Sequence, residues 1–239
     1  VVVGYGVQKK ANLTGAVASV DFEEQAKSRP VTTVSAALAG LSAGVQVMQN
    51  SGQPGSDGAT IRVRGVGTLN DANPLVLIDG MEGSMDNINA QDIETISILK
   101  DAASCAIYGS RAANGVILVT TKTGKIGKTK VTYDFSYGWQ SAWKKRDVLN
   151  ASEYALMINE GAINAGIAPK FSDPYSYGQG TNWQDEVFNN NAPMMNHQVS
   201  VSGASEKVNY LFSLGFYTQD GIVGGNFDRS NYERLTLRS

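Results

Sequence analysis

The chain has 239 residues, with 20 Lys or Arg, 22 Asp or Glu, one His and a formal net charge of -2. That balance, with only short basic runs, excludes the clustered positive charge by which nucleic-acid phosphates are met. Charged residues make up 18% and glycines number 26, fewer charges and more glycine than ordinary usage, which favours a turn-rich, β-containing protein long enough to bury a core.

The first six residues, VVVGYG, are β-branched and aromatic around two glycines, a composition suited to an extended segment. Short helices are predicted near residues 34–41 and 103–108, with Asp101 capping the second. Between and after them, apolar runs bounded by turn residues predict strands at 45–48, 61–64, 75–79, 96–99 and 116–121. Arg64, Gly65, Val66 and Gly67 lack the third glycine and following helix of a phosphate loop. Asp71 and Asp79 stand too far apart for a calcium loop. Arg62, Arg64, Asp79, Asp92, Glu94, Lys100, Asp101 and Arg111 are expected in polar pairs within this compact α/β unit or across to a neighbouring wall. A lone Cys105 can form no intramolecular disulfide and reads as a small buried residue. His197, the sole histidine, is expected at a strand end and cannot build a zinc site by itself.

From Val131 onward the period changes to two. Val131, Tyr133, Phe135, Tyr137 and Trp139 alternate with Thr132, Asp134, Ser136, Gly138 and Gln140, which predicts a strand with one apolar and one polar face. Val199 and Val201 begin a second strand. Val208, Tyr210, Phe212, Leu214 and Phe216 mark a third, and Leu235 and Leu237 against Arg234, Thr236 and Arg238 a fourth. A soluble sandwich and a transmembrane barrel wall both fit this alternation; in the barrel reading Trp139 and Trp143 sit near an interface. The turn at 203–207 is tight, whereas residues 144–196 form a long connection, which a barrel places outside the cell. A helix is predicted there over about 151–165, capped by Asn150, with Tyr154, Met157 and Ile158 on one face. Phe171, Tyr175, Tyr177, Trp183 and Phe188 in the same connection are either ligand-stacking residues or loop anchors. Four strands cannot close a barrel and would leave backbone groups unpaired in lipid, so the chain is expected to belong to something larger and Ser239 not to be a natural terminus.

Three long motifs carry a family resemblance. They are VVVGYGVQKKANLTGAV at Val1 to Val17, AALAGLSAGVQVMQNSGQPGSDGATIRVRGVGTLNDANPLVLIDGM at Ala36 to Met81, and DIETISILKDAASCAIYGSRAANGVILVTTKTGK at Asp92 to Lys125. In order and phrasing they resemble the start of SusC/RagA-type TonB-dependent outer-membrane transporters; Cys105 stands where that family more usually has a small residue such as Ala. The resemblance implies an α+β plug domain followed by antiparallel transmembrane β-strands, a fragment of a plugged barrel of about 22 strands. It divides the chain into an N-terminal TonB-box segment (1–10), the plug (11–125) and the first part of the barrel (126–239).

The same resemblance implies import of oligosaccharides, or peptides, across the outer membrane of a Gram-negative bacterium, without catalysis, cofactor, metal or nucleic acid. Its partners would be TonB with the ExbB/ExbD energy supply, a SusD-like surface lipoprotein, outer-membrane lipid, and a second transporter–lipoprotein pair in a dimer. Val1, Val2, Val3, Gly4, Tyr5 and Gly6 would meet TonB by strand addition; a plug strand or a tether is the other reading of that segment. Asn70, Tyr175, Tyr177 and Trp183 are the candidate substrate contacts. A surface-binding or adhesive outer-membrane protein and a siderophore-type TonB-dependent receptor are the alternative functions.

Overall fold

A computed structural model of the chain describes residues 2–3, 6–7, 17–22, 32–68, 71–224 and 231–239. Two of the apolar runs lie at its centre. Ile93–Leu99 (β8) and Val116–Thr121 (β9) pair antiparallel in the middle of a five-stranded sheet, flanked on one side by Val17–Asp21 (β3) and on the other by Leu75–Ile78 (β6) and Met81–Glu82 (β7). Both central strands are covered on both faces, which is why they read as unbroken apolar runs and not as alternations. Ile96, Ile98, Ile117 and Val119 join Phe22, Val34, Leu38, Ile61 and Val63 in one core cluster. Leu99, Val116 and Leu118 join Leu77, Cys105 and Ala112 in the other.

Val34–Ala37 (α1) and the separate hairpin of Val45–Gln49 (β4) with Ala59–Val63 (β5) cover the first cluster. The connection from β8 to β9 is Ala102–Cys105 (α2) followed by two 3-10 turns. Asp101 caps α2, its carboxylate accepting from the Ser104 amide at 2.7 Å. Strands β3 and β7 went unread in the sequence. Each is a short edge strand whose partner, not its own pattern, defines it. At the N-terminus Val2–Val3 (β1) and Gly6–Val7 (β2) pair with each other antiparallel.

The second half is a meander of four antiparallel strands in sequence order: Lys130–Gln140 (β10), Ala192–Ala204 (β11), Asn209–Asp220 (β12) and Asn231–Arg238 (β13). Val131, Tyr133, Phe135, Tyr137 and Trp139 are between 54% and 67% exposed, and Phe212, Leu214, Phe216, Leu235 and Leu237 share their outer face. On the inner face Gln198, Ser213, Tyr217 and Gln219 are buried. Apolar outside and polar inside inverts a soluble protein and fits a wall with lipid outside and a polar interior. Among the described residues no helix is long and apolar enough to cross a membrane.

Strand β11 begins earlier than its sequence pattern suggests, so His197 is mid-strand, opposite Phe135 and Phe216, with its Nδ1 2.7 Å from the Tyr133 hydroxyl. Pro193 hides the start: it pairs with Trp139 of β10 and lies beyond the β11–β12 ladder, where no donor is required of it. The long connection therefore spans 141–191. Its helix Ala151–Asn164 (α3) carries the predicted Asn150 cap as a full capping box with Glu153. Tyr154 and Met157, however, face outward. The packed side of α3 is Ala155 and Asn159, because Asn159 clasps the Phe171 backbone with hydrogen bonds of 2.7 and 2.9 Å and draws the 171–178 segment onto that face.

Plug and wall meet where the chain passes from one to the other. Gly124 donates its amide to Asn209 Oδ1 at 2.9 Å, and a Cβ placed on it would lie 2.2 Å from the Gly203 carbonyl oxygen. Backbone cannot retreat as a flexible side chain can, so Gly124→Ala should cost about 1–3 kcal/mol. Calorimetry of the purified receptor in detergent should show a lowered transition, whereas Gly52→Ala, at a site with open space and no positive φ, should leave it nearly unchanged.

Candidate functional site

The inner face of the wall and the outer face of the plug share a polar seam. At its centre is Asp92, in a 3-10 turn Ala90–Asp92 whose cap, Asn89, accepts from the Gln91 amide. The turn is fixed from both sides: the Asp92 amide donates to Asn89 O at 2.9 Å and the Lys122 amide to Asp92 O at 2.8 Å. This aims the carboxylate at the wall. Oδ1 accepts from Gln198 Nε2 of β11 at 2.5 Å and Oδ2 from Ser213 Oγ of β12 at 2.9 Å. Burial pushes the Asp92 carboxyl above its usual range, opposed by the Ser213 bond, the Arg238 charge, the Gln198 bond and Lys122.

A second contact lies at the turn between β6 and β7. Asp79 and Gly80 both take positive φ, 48° and 90°, the conformation in which a two-residue hairpin turn favours Asp-Gly. The turn holds the Asp79 carboxylate against Thr121, whose amide donates to Oδ1 at 2.9 Å and whose hydroxyl donates to Oδ2. Arg238 of β13 reaches both, hydrogen-bonding Thr121 Oγ1 and lying 3.6 Å from Asp79 Oδ2. A third contact runs from Arg234 to the Asp86 carbonyl at 2.8 Å, and Asp86 Oδ1 in turn accepts from the Ser35 amide. Beside it a cavity of about 340 Å³ opens between the plug and the ends of β12 and β13.

Of the charged residues expected in polar pairs, Asp79 and Asp92 do cross to the wall, Asp92 through neutral donors. Arg111 pairs with Glu82 inside the plug, Lys100 holds the Ala43 carbonyl and Arg62 the Ile61 carbonyl. Cys105 is buried with its thiol 3.7 Å from Leu99 O, and burial pushes its pKa up, away from any nucleophilic role. Of the candidate substrate contacts, Tyr177 meets Phe171 edge to face, while Tyr175 and Trp183 are exposed and Phe188 lies under the Lys145 ammonium. Asn70 lies outside the described residues, as do Val1, Gly4 and Tyr5 of the N-terminal segment. The wall side of the seam, Gln198, Ser213, Tyr217, Tyr232 and Arg234, was not singled out as a site. Its signal was present: these residues hold the inward parity of strands whose outward parity is apolar.

The family described as TonB-dependent Receptor Plug Domain matches residues 9–116. TonB-dependent receptor P26 of Formosa agariphila is 44% identical over an alignment covering all of this chain and 24% of the relative. TonB-dependent receptor SusC of Bacteroides thetaiotaomicron is 39% identical, over 99% of this chain and 23% of its own length. The RagAB peptide importer in its open-open state superposes with a TM-score of 0.77 at 29% identity, over 99% of this chain and 30% of that one. The chain belongs to the SusC/RagA-type TonB-dependent receptors. It spans about a quarter of the length of the curated relatives it matches. A siderophore receptor from Acinetobacter baumannii, with a TM-score of 0.52 at 21% identity, shares the fold. The fold is accordingly an α+β plug followed by antiparallel strands of a plugged barrel, in a family of receptors and transporters and not of enzymes.

Asp92 gives this receptor chain a pH signature. A carboxyl whose folded pKa is raised binds its proton more tightly when folded, so its contribution is favourable in acid and is lost as pH rises from the ordinary carboxylate value near 3.9 through the raised one. Asp92→Asn removes that loss. Its calorimetric transition relative to wild type should therefore move upward as pH rises above about 4. Asp92→Ala should instead destabilise by about 2–3 kcal/mol, since Gln198 and Ser213 are left as buried donors without an acceptor.

Proposed function

We propose that this chain is the plug and opening wall of a TonB-dependent nutrient importer of the Gram-negative outer membrane, with residues 1–10 as the TonB segment, 11–125 as the plug and 126–239 as wall. Val1, Val2, Val3, Gly4, Tyr5 and Gly6 offer the β-branched stretch that TonB would take up by strand addition, energised through ExbB and ExbD. Among the described residues Val2–Val3 and Gly6–Val7 pair with each other in a two-rung ladder, and such a small hairpin is cheap to open. A SusD-like lipoprotein would lid the mouth, where the 141–191 connection extends. Oligosaccharides are the cargo favoured here and peptides the second reading, the latter because RagAB is named a peptide importer.

The observation that carries this reading is the unequal attachment of the plug. Its C-terminal part is tied to the wall through Asp92, Asp79, Thr121 and Gly124. Among the described residues its N-terminal strand β3 is an edge strand paired with β8. A pull from the N-terminus loads β3 first, and lifting it uncovers the β8 edge while leaving the ties to the wall in place. Hydrogen bonds along such a path are exchanged for bonds to water at small net cost.

The test is a reversible staple. Ser19 and Ser97 are register partners on β3 and β8, within the reach of a disulfide. The double variant Ser19→Cys/Ser97→Cys should lose energised uptake when oxidised and regain it on reduction. Uptake unaffected by the closed disulfide would refute the peeling of β3, and undiminished uptake in a strain without TonB would refute the TonB dependence itself.

A further inference from the structure

The cavity at the seam has a lining that selects for one kind of guest. Among the described residues twelve line it, and none of these is Ala, Val, Leu, Ile, Met or Phe. Asp57, Gln219 and Tyr217 in its wall are buried. Asp57 and Asp86 supply carboxylates, Arg234 a guanidinium that lies over the Tyr217 ring, and Tyr232 a second ring set edge-on to the first. Gly55 makes room for that ring: a Cβ there would fall 2.4 Å from Tyr232 Cδ2. Two lining residues also keep buried polar atoms without a protein hydrogen-bond partner, Thr33 Oγ1 and Arg234 Nε. A small rotation of either side chain would offer that atom to a guest, and an unmet buried donor or acceptor is costly enough to reward it.

At about 340 Å³ the cavity is at the lower end of ligand sites, which run from roughly 300 to 1,000 Å³. Its mixture of acceptors and donors suits hydroxyls, each of which both donates and accepts, and the tyrosine rings provide apolar faces without an aliphatic pocket. A guest with a large aliphatic side chain would strand the polar lining. Two carboxylates against one guanidinium disfavour a polyanion. The cavity lies among the last residues of β12 and the first of β13, the end of the wall away from the tight turn at 205–208. Short turns face the periplasm in such walls, so the cavity opens toward the external half of the seam.

We propose that this cavity is a subsite for one uncharged, hydroxyl-rich sugar unit, passed between the plug and the β12–β13 wall; its role in passage rests on the importer reading above. Gln219 holds the lining in register, accepting the Tyr217 hydroxyl at 3.0 Å and donating to Gln140 of β10 at 3.2 Å. Asp57 and Arg234 are the groups that would meet the sugar hydroxyls. A neutral oligosaccharide is thereby selected over a peptide or an acidic glycan.

The experiment uses the complete receptor in detergent, probed on an array of neutral and acidic oligosaccharides and a hexapeptide library, with hits quantified by calorimetry. Ser56, exposed on the cavity rim, is changed to Trp to fill the space, and Asp57→Asn removes a charge without changing shape. Binding of at least one neutral oligosaccharide, weakened tenfold or more by Ser56→Trp with an unchanged melting transition, is the expected result. No neutral hit, a neutral hit indifferent to both variants, or preferential binding of peptides or acidic glycans overturns the proposal. Deleting residues 1–7 separates the two readings: it should abolish uptake and leave sugar binding intact, whereas undiminished uptake would overturn the TonB-segment reading and not the subsite.

Discussion

A carboxylate buried between two wall strands and a plug turn is the contact around which this molecule is arranged. Asp92 carries a charge that cannot be left bare in a water-poor seam, and its two oxygens are met by one donor from β11 and one from β12. That requirement fixes the height of the plug against the wall as well as its position. Gln198 and Ser213 do not face each other in the β11–β12 ladder; they bracket the carboxylate from staggered rungs. A sliding plug would lose both bonds together. The Asp79, Thr121 and Arg238 cluster adds a tie to β13, so three successive wall strands are each bound to the same pair of plug strands, β8 and β9, or to the turns beside them.

The choice of polar chemistry for this joint follows from the wall's other face. Lipid around such a wall would remove any reason to bury apolar side chains inward, since Val131, Phe135, Leu214 and Leu237, exposed on the outer face, would then lie in an apolar medium. The inward positions are therefore free to be polar, and the plug answers with polar groups of its own. Its apolar residues are instead spent on the two clusters around β8 and β9, which make the plug a folded body in its own right. The result is a plug with its own apolar core, joined to the wall by a polar seam.

Much of this was legible in the sequence where a single element decides its own structure. The Asp101 cap, the Asn150 cap, the apolar runs of β8 and β9 and the alternation of β10 and β12 are local patterns with local causes. What was not legible depends on partners distant in the chain. Strand β3 is five residues whose role is set by β8, more than 70 positions away. The face of α3 was misjudged because a clasp between Asn159 and the Phe171 backbone outweighs the apolar stripe of Tyr154 and Met157. The seam was hidden for the same reason. Gln198, Ser213 and Tyr217 look like ordinary wet-face residues until the register sets them opposite a plug turn.

The proposed peeling follows from the order of the sheet. In the sequence β3, β8, β9, β6, β7 across the plug, the strand nearest the N-terminus is at one edge, and the strands tied to the wall are inside. In the proposed pull, a force arriving through the N-terminal segment would act on the edge before the centre, and among the described residues that edge strand has β8 as its one neighbour. The groups that anchor the plug, Asp92 and Thr121, belong to strands that have neighbours on both sides and to the turns leading into them. The ties to the wall thus lie away from the edge at which the proposed pull would arrive. A plug fastened the other way, by its first strand, would have to leave the barrel whole before any path opened.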